Sequence, residues 1–585
     1  MNTTTTESTF VRATSLAELE MAACQTINLN GHTLALWYVG GQVYAVDNRC
    51  PHMGFPLDRG SVKDGILTCH WHHARFDLES GGTFDQWADD VRAFSVEIRD
   101  GDVWVDLASQ RDPQAHQRDR LQVGLERNLS LVIGKAVLTL VDGRDVATAV
   151  DPFRIGLDFG TRYRSAGWGQ GLTILACLMN LLPHLNEADR PRALYNGLSA
   201  VASDTFGSSP RFMVRPLPDT SADIATLKRW FRQFIEVRDD EGAERCIISA
   251  IEAGATPQQM ADMLFTAVTD HRYIQIGHPA DFTNKAFEAL DIAGWEYAKP
   301  VLTSLVTGYA EASRMEESNS WRHPIDLIDI LHGAFERLPN EVAAGEENDG
   351  DWNGRHDLVP ILLADDPQAS VDALLSSLAA GASMVELAET VTYAAALRIA
   401  RFHTSNEFGD WDTALHTFTF ANAILQGLRR APSAEPLRGV FDAAMSIYLD
   451  RFLNIPAARI PSANGQVSQP DEILEQFPTL LNRQQQVNEA AELVSRYLGS
   501  SGNPDELLAL LGRLLLREDR DFHTIQSVEA AFNLYRFLRG TEEGSHVLIA
   551  AARYLAAHSP TVRAQGQTYQ IAARLHRGEH LFEGA

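Results

Sequence analysis

Cysteine is scarce in this sequence, which has five in 585 residues. Two of them, Cys50 and Cys69, each have a histidine two or three residues further on, and the other three (Cys24, Cys177 and Cys246) are scattered. A small secreted protein that depends on disulfides has more cysteines at closer spacing. We therefore expect this chain to work in a reducing compartment, without a disulfide framework.

Basic residues are also in short supply, with 50 Lys and Arg against 77 Asp and Glu, and the formal net charge is −27. Such a surface repels phosphate backbones and anionic lipids, so we expect no nucleic-acid or membrane-surface role. The longest apolar stretch, 172–182, is shorter than the roughly 20 residues that span a bilayer. The first ten residues, MNTTTTESTF, lack the basic and apolar regions of a signal peptide, so a cytoplasmic location is expected.

A dinucleotide-binding fingerprint is absent as well. No Gly-x-Gly-x-x-Gly follows a predicted strand, and that motif is what places a pyrophosphate at the start of a helix. We therefore expect neither NAD nor FAD on this chain. Any electrons that it uses should come from a separate protein.

The pattern of apolar residues changes once along the chain, near residue 124, from strand-like to helical. Residues 9–108 are rich in strand residues, with a Gly-Gly turn in LALWYVGGQVYAVDN and an Arg-Asp-Gly-Asp turn in VRAFSVEIRDGDVWVDL. A polar segment at 109–123 reads as a linker, and residues 1–8 as a disordered tail. From 124 to 585 apolar residues recur at helical spacing and strand patterns are nearly absent. The fold class predicted is multidomain: a small all-β domain, then a large all-α domain of stacked helix pairs.

The β-rich region contains a pattern of metal ligands. Cys50-Pro-His52 is followed by sixteen residues and then by Cys69-His-Trp-His72. Each short segment supplies one thiolate and one imidazole, so two loops could clamp one metal group from opposite sides. A [2Fe–2S] cluster with two Cys on one iron and two His on the other uses this donor set. A zinc ion is the alternative, because two Cys and two His are also a zinc set.

These residues resemble the motif of the Rieske [2Fe–2S] family over about 100 residues, which identifies 9–108 as a Rieske domain. The resemblance implies that Cys50, His52, Cys69 and His72 bind the cluster. The high-potential branch of that family has two further cysteines in a disulfide, and here those positions hold Phe55 and Trp71. The ferredoxin and oxygenase branch, with a lower potential, is therefore implied. His73 stands where the family usually has Gly.

Histidines recur at corresponding places in the helical region. GATPQQMADMLFTA at 254–267 echoes GASMVELAETVTYA at 381–394, and a histidine begins the next helical run after each, His278 and His416. A third instance leads to His523 and a looser fourth to His323. Helical bundles build metal sites from inward-facing side chains, and imidazole suits iron. Four histidines are therefore candidates for a second iron site, with His184 as a fifth, and helix packing or capping is the alternative role for each: His278, His323, His416 and His523.

The ligand helix of ring-hydroxylating Rieske oxygenases, Asp/Asn-x-x-His-x4-His, is absent. Instead, Asp410-Trp411-Asp412-Thr-Ala-Leu-His416 and the His-Pro pairs at 278–279 and 323–324 resemble motifs of the questin oxidase-like family. That family is all-helical and acts oxidatively on aromatic polyketides. The resemblance implies a non-haem Fe(II) that activates O₂, with His416 and one or both of His278 and His323 as ligands. Some relatives use a carboxylated lysine, a role that is not carried over to Lys285.

The favoured hypothesis is a Rieske oxidoreductase of the oxygenase type, in which the cluster passes electrons to a His-ligated non-haem iron that acts with O₂ on an apolar or aromatic small molecule. The expected donor is an external ferredoxin or flavin reductase, and no catalytic residue is assigned. One alternative is an electron-transfer protein whose helical domain is a docking scaffold, and another is a redox sensor. Five aromatic residues are candidates for lining a substrate pocket: Trp321, Phe402, Phe408, Trp411 and Phe418.

Overall fold

The computed structural model describes residues 10–108, 112–348, 352–462, 469–579 and 581. The chain forms two compact units. The N-terminal unit comprises residues 1–142 together with 567–585, and the helical unit comprises 143–566. The tail expected at 1–8 lies outside the described residues.

The N-terminal unit contains three small antiparallel sheets, with strand orders β1-β10-β9, β2-β3-β4-β8 and β5-β6-β7. The Arg-Asp-Gly-Asp turn joins β9 to β10, and Asp100 and Gly101 both have the positive φ that a tight hairpin turn needs. The elements are β1 (Phe10–Ser15), α1 (Leu16–Ala22), β2 (Cys24–Leu29), β3 (His32–Val39), β4 (Gln42–Asp47), β5 (Ser61–Lys63), β6 (Ile66–Thr68), β7 (Arg75–Asp77), β8 (Ala93–Phe94), β9 (Val96–Arg99) and β10 (Asp102–Asp106).

The segment expected to be a linker is helical from Pro113 onward, so that expectation is wrong there. The Asp112 side chain accepts a hydrogen bond from the backbone N–H of Gln114, and Pro113 occupies the first turn, which is a strong start signal for a helix. Arg120, 6% exposed, donates to the carbonyl oxygens of Gln86 and Ala88. Polar composition was misleading because three of these polar side chains, His116, Gln117 and Arg120, bind residues 86–89 of the β-rich domain.

Helices make up the rest of the described chain, and the predicted fold class, a small β domain followed by a large helical region, is confirmed. None of the described helices is both long and apolar enough to span a membrane. The helices are α2 (Pro113–Glu126), α3 (Ser130–Leu140), α4 (Val150–Arg162), α5 (Gln170–Leu181), α6 (Arg190–Thr205), α7 (Ile224–Glu236), α8 (Asp240–Glu252), α9 (Pro257–Thr269), α10 (His278–Ala293), α11 (Ala298–Thr303), α12 (Val306–Glu311), α13 (Leu327–Glu346), α14 (Arg355–Leu362), α15 (Pro367–Ala379), α16 (Met384–Ala400), α17 (Phe408–Arg430), α18 (Ala434–Leu449), α19 (Pro470–Leu480), α20 (Val487–Leu498), α21 (Pro504–Leu516), α22 (Phe522–Leu538), α23 (Glu542–Ala557) and α24 (Ala564–His576).

Four of these helices pack as a ring in the middle of the helical unit. Helix α5 packs against α10 and α22, and α17 packs against the same two helices from the other side. The echoed segments 254–267 and 381–394 form α9 and α16, and each begins with a capping box, Thr256 with Gln259 and Ser383 with Glu386. The helix after each of them, α10 or α17, belongs to the ring.

Candidate metal centres

Two loops with the same backbone pattern carry the Cys and His pairs of the N-terminal unit. The N–H of Cys50 donates to the Phe55 carbonyl, and the N–H of Cys69 donates to the Ala74 carbonyl. Four residues after each cysteine the N–H returns to the cysteine carbonyl, from Gly54 at 2.8 Å and from His73 at 3.0 Å. Both of these residues have positive φ, 84° and 62°. His73 therefore occupies a left-handed position where glycine is the unstrained choice.

The four predicted ligands converge. The rings of His52 and His72 have centroids 4.8 Å apart, and Cys50 and Cys69 are 2% and 1% exposed. A hydrogen bond from Cys50, together with N–H groups of the second loop, lowers the pKa of Cys69 to about 6, whereas the same hydrogen bond and burial raise the pKa of Cys50. Burial lowers the pKa of His52 to about 4. Its Nδ1 has no partner among the described residues, so this donor set fits a cluster with neutral imidazole ligands.

A lysine far away in sequence holds the first ligand loop. Lys135 of α3 donates from Nζ to the carbonyl oxygens of Pro51 at 2.5 Å and His52 at 2.7 Å. Burial lowers the pKa of this ammonium to about 8. Arg49, next to the same loop, donates to the carbonyl oxygens of Leu575 and Glu579. Sequence reasoning missed both contacts, because no local pattern links α3 or the C-terminal segment to residues 50–52.

Three of the predicted histidines of the helical unit meet in one place. His278 begins α10, His416 lies in the third turn of α17 and His523 is the second residue of α22. The ring centroids of His278 and His416 are 5.0 Å apart, those of His416 and His523 are 4.8 Å apart and those of His278 and His523 are 5.9 Å apart. One nitrogen from each ring lies within 4.8 Å of the other two. We call His278, His416 and His523 the histidine trio.

The electrostatics of the histidine trio suit a metal ion. His416 Nδ1 lies 2.7 Å from the carbonyl oxygen of Asp412, which can only accept, so the proton is on Nδ1 and the Nε2 lone pair is free. His278 Nδ1 and His523 Nε2 are buried and have no hydrogen-bond partner among the described residues. Burial and then the neighbouring rings lower the pKa of His416, and burial above all lowers that of His523. Neutral imidazoles whose nitrogens face one another are what a divalent metal ion binds.

A buried carboxylate that sequence reasoning missed adjoins the histidine trio. Asp281 is 1% exposed, and its Oδ2 lies 3.5 Å from His278 Nδ1 and accepts a hydrogen bond from Thr419. Its Oδ1 has no donor among the described residues. A buried carboxylate of this kind calls for a nearby cation. The sequence signal was present, because residues three apart share one face of a helix.

The structure does not bring His323 or His184 into this group. His323 is exposed in the segment before α13, and α13 packs against α15 and α18 instead of the ring helices. His184 follows α5, and its ring contacts Phe532 at 5.6 Å. Phe532 lies nine residues beyond His523 on α22, which is roughly 13 Å along the helix axis.

A cavity of about 410 Å³ lies next to the start of α22 and is lined by Asp521, Thr524 and His558, among others. Of the aromatic candidates, Phe408 lines this cavity, whereas three others are packed into the core: Phe402, Trp411 and Phe418. His558 Nε2 lies 4.0 Å from Asp412, the residue whose carbonyl accepts from His416. Asp412 therefore lies beside both His558, which lines the cavity, and His416 of the histidine trio.

Comparisons with known proteins match the N-terminal unit, which carries the Cys and His pairs. Residues 9–94 match the family model for the Rieske [2Fe-2S] domain. The ferredoxin component of the p-cumate 2,3-dioxygenase system of Pseudomonas putida is 30% identical over 82 residues, 14% of this chain and 70% of that protein. Apoptosis-inducing factor 3 of Homo sapiens is 30% identical over 105 residues, which are 18% of this chain but only 17% of the relative's own length.

Among solved structures, the ferredoxin of carbazole 1,9a-dioxygenase from Nocardioides aromaticivorans IC177 is similar at 28% identity, with a TM-score of 0.16. The match covers 17% of this chain and 97% of that ferredoxin. The family model, the ferredoxin component and the two similar loops that carry the Cys and His pairs all indicate a Rieske domain at the N-terminal residues. Through these residues, the chain belongs to the Rieske [2Fe–2S] family.

Proposed function

We propose that this chain is an oxidoreductase of the oxygenase type with two metal centres. Cys50, His52, Cys69 and His72 hold the [2Fe–2S] cluster, and the histidine trio holds a single non-haem Fe(II). The cluster supplies one-electron transfer and the iron supplies O₂ activation. The substrate is an apolar or aromatic small molecule, the electron donor is an external ferredoxin or flavin reductase, and the protein acts in the cytoplasm.

One observation carries this proposal: three histidines that are more than a hundred residues apart in sequence bring ring nitrogens within 4.8 Å of one another. Packing alone gives no reason to bring unpaired ring nitrogens close to one another, because buried polar atoms are normally hydrogen-bonded. His416 is oriented by the Asp412 carbonyl, as metal-bound histidines usually are by a second partner. The weak resemblance of the helical region to the questin oxidase-like family points to the same chemistry.

Aromatic residues of the chain shield the proposed iron site from water. The three histidines of the trio are half-buried. Phe282 and Phe522 pack against the His278 ring, each with a centroid distance of 5.5 Å, and keep water from its faces. An apolar wall beside a few convergent polar groups is typical of small-molecule sites.

Iron and acid-labile sulfide per chain, measured with EPR of the reduced protein, test the proposal. We expect iron in excess of sulfide, and we expect His416→Ala to lose the excess iron while the Rieske signal stays. His332→Ala, an exposed histidine of α13, is the matched control and should keep all the iron. Equal iron and sulfide in the wild type, with no other metal, would contradict the proposal and favour an electron-transfer protein with a helical docking scaffold.

A further inference from the structure

A stripe of buried polar residues runs from the histidine trio into the ring of helices. On α10, Asp281, Lys285 and Glu288 follow His278 at intervals of three, seven and ten residues, and this spacing keeps them on one helix face. On α22, Gln526 and Glu529 follow His523 along the corresponding face. Lys285 and Glu529 are each 1% exposed and Gln526 is 2% exposed. Such residues are rare in a core, so their alignment below the trio needs a cause.

At the far end of the stripe, one ammonium lies between two carboxylates. Lys285 Nζ is 2.5 Å from Glu529 and 2.8 Å from Glu288, and the amide of Asn180 on α5 donates to both carboxylates. With all three groups ionised, this lysine–glutamate group would carry one net negative charge. Burial opposes the charge on Lys285, but the two glutamates raise its pKa, and burial raises the pKa of Glu529. A buried net negative charge is costly, so the group can take up one further proton.

Between the trio and the lysine–glutamate group lie buried oxygen atoms that accept no hydrogen bond from any described residue. Asp281 Oδ1, Asn284 Oδ1 and Gln526 Oε1 are buried, and no described residue donates to them. The amide nitrogen of Asn284 donates instead to Glu288 at 2.9 Å. Asp281 and Lys285 are one helical turn apart on α10, a rise of about 6 Å along the helix axis. Buried acceptors are normally satisfied, so water is the donor that fits here.

We propose that this stripe is a proton path, along which the lysine–glutamate group supplies protons to the histidine trio. The inference rests on the proposed function. If that function is a monooxygenation, RH + O₂ + 2e⁻ + 2H⁺ gives ROH + H₂O, with both electrons from the external reductase. Two protons must then reach a half-buried site. Glu529 gives up its proton through water towards Asp281 and is reprotonated through Lys285 and Glu288, whose side chain is 11% exposed and meets solvent.

Infrared spectroscopy of the protein that keeps its cluster but has no iron at the histidine trio tests the proton store without any turnover. We expect a C=O band of a protonated, buried carboxylic acid that shifts in D₂O and is missing from Glu529→Gln, an isosteric change that leaves Glu288 to pair with Lys285. Glu389→Gln is the matched control, because Glu389 also sits between two cations, Arg355 and Arg429, but lies on α16 outside the stripe. If wild type and Glu529→Gln share the same carboxylic acid bands, the proton store is disproved.

The second measurement follows the visible absorbance of the cluster while stoichiometrically reduced, iron-loaded protein is mixed with O₂. We expect reoxidation to be slower in Glu529→Gln by about 10²-fold, the size of a general acid effect, and slower in D₂O for the wild type. If His416→Ala, which lacks the second iron, reoxidises as fast as the wild type, the proposed function fails. If His416→Ala is slow while Glu529→Gln keeps the wild-type rate and the wild type shows no D₂O effect, only the proton path fails.

Discussion

The role of a histidine in this chain depends on what its second ring nitrogen contacts. His416 has Nδ1 on a backbone carbonyl at 2.7 Å, so its other nitrogen is presented as a lone pair. His558 makes a similar contact with the Tyr554 carbonyl, yet its ring stacks on Tyr554 with centroids 4.2 Å apart, and no other histidine among the described residues faces it. A carbonyl contact on one ring nitrogen therefore does not by itself mark a metal ligand, and convergence with other histidine rings is what distinguishes His416 from His558.

Asp281 should matter for metal affinity. Asp281→Asn removes a buried carboxylate whose Oδ2 lies 3.5 Å from His278 Nδ1. Partners of metal-bound histidines typically contribute about 10- to 100-fold in affinity, so we expect a loss of that size in Co(II) or Fe(II) titrations of the helical unit's site. Asp291→Asn, on the same helix but exposed and paired with Arg430, is the control. An unchanged affinity in Asp281→Asn would contradict the role.

Asp450 should make stability fall as the pH rises. It is 1% exposed, and burial raises its pKa to about 7, despite hydrogen bonds from Thr417 and Gln275 and the nearby charge of Arg398. The unfolded pKa is about 3.9. The folded state holds this proton more tightly, so its contribution is full below about pH 4 and is lost as pH rises through about 7. The loss is about 4 kcal/mol at most.

Thermal unfolding of Asp450→Asn at about pH 5 and about pH 8 measures this effect. The variant cannot ionise at this position, so we expect its melting temperature, relative to that of the wild type, to increase as the pH rises. Glu518→Gln separates this from simple burial, because Glu518 is 2% exposed but, despite its burial, the charge of Arg520 and nearby hydrogen bonds hold its pKa below the usual value, and removing it destabilises at both pH values. A constant difference between Asp450→Asn and wild type would contradict the assigned titration.

At the scale of elements, repeated helix pairs explain why the trio forms. In each of three pairs the first helix has a side-chain cap, at Thr256, Ser383 or Asn503, and a histidine lies in the first turns of the second helix. Of the second helices, α10 and α22 both pack against α17. The histidines are brought together because their rings lie on these packed helices and contact one another, His278 with His416 and His416 with His523.

Gly277 allows α10 to approach α17 closely. A Cβ at this position would lie 2.3 Å from the Phe420 ring, so Gly277→Ala must push apart the helices that carry His278 and His416. We expect a loss of about 1–3 kcal/mol in stability, as for other overpacked sites, and weaker metal binding in the same titration. Gly409→Ala in α17 has open space around it and should leave metal affinity unchanged. Equal affinities in the two variants would contradict this account.

Helix α3 should stabilise the Rieske ligand loop through Lys135. Lys135→Met leaves the Pro51 and His52 carbonyl oxygens without their charged donor, and hydrogen bonds to charged groups contribute about 1.5–3 kcal/mol each. It also removes a positive charge near the ligands, which should lower the midpoint potential of the cluster. Thermal loss of the cluster absorbance and a redox titration measure both effects. Lys63→Met, in β5, is the control, and a Lys135 variant that matches it on both counts would refute the role.

At the scale of the whole molecule, the N-terminal unit is built from both ends of the sequence. Residues 567–585 belong to it, and Arg49 donates to the carbonyl oxygens of Leu575 and Glu579. The unit is therefore larger than the 9–94 segment that matches the Rieske family model. Its additional elements, α2, α3 and the C-terminal segment, bind next to the cluster loops instead of forming separate structure.

Deleting residues 567–585 should weaken the Rieske unit selectively. Arg49 would lose two acceptors, so we expect the cluster absorbance to disappear at a lower temperature, by roughly 2–4 °C for each 1 kcal/mol lost from a unit of this size. The metal content of the histidine trio should not change, because its three helices lie in the other unit. Loss of both metals together would show that the deletion unfolds the whole chain.

The sequence by itself determined the features that depend on local spacing. The sequence could single out four candidate cluster ligands because Cys50 with His52, and Cys69 with His72, each lie within one short loop. The helical class followed from apolar periodicity, and the helix starts from capping residues. The histidines His278, His416 and His523 were recognised as candidates because each stands at the same place in a repeated pattern.

Only the tertiary structure decided which of these candidates meet. His323 fits the pattern loosely but precedes α13, which packs elsewhere, so it stays exposed. Lys135 gains its role from neighbours that lie far away in sequence. Asp281 lies only three residues from His278, but a single acidic residue in a helix does not stand out in the sequence. The reason is physical: a side chain's partners are set by how helices pack, and packing between elements hundreds of residues apart leaves no periodic signal in the sequence.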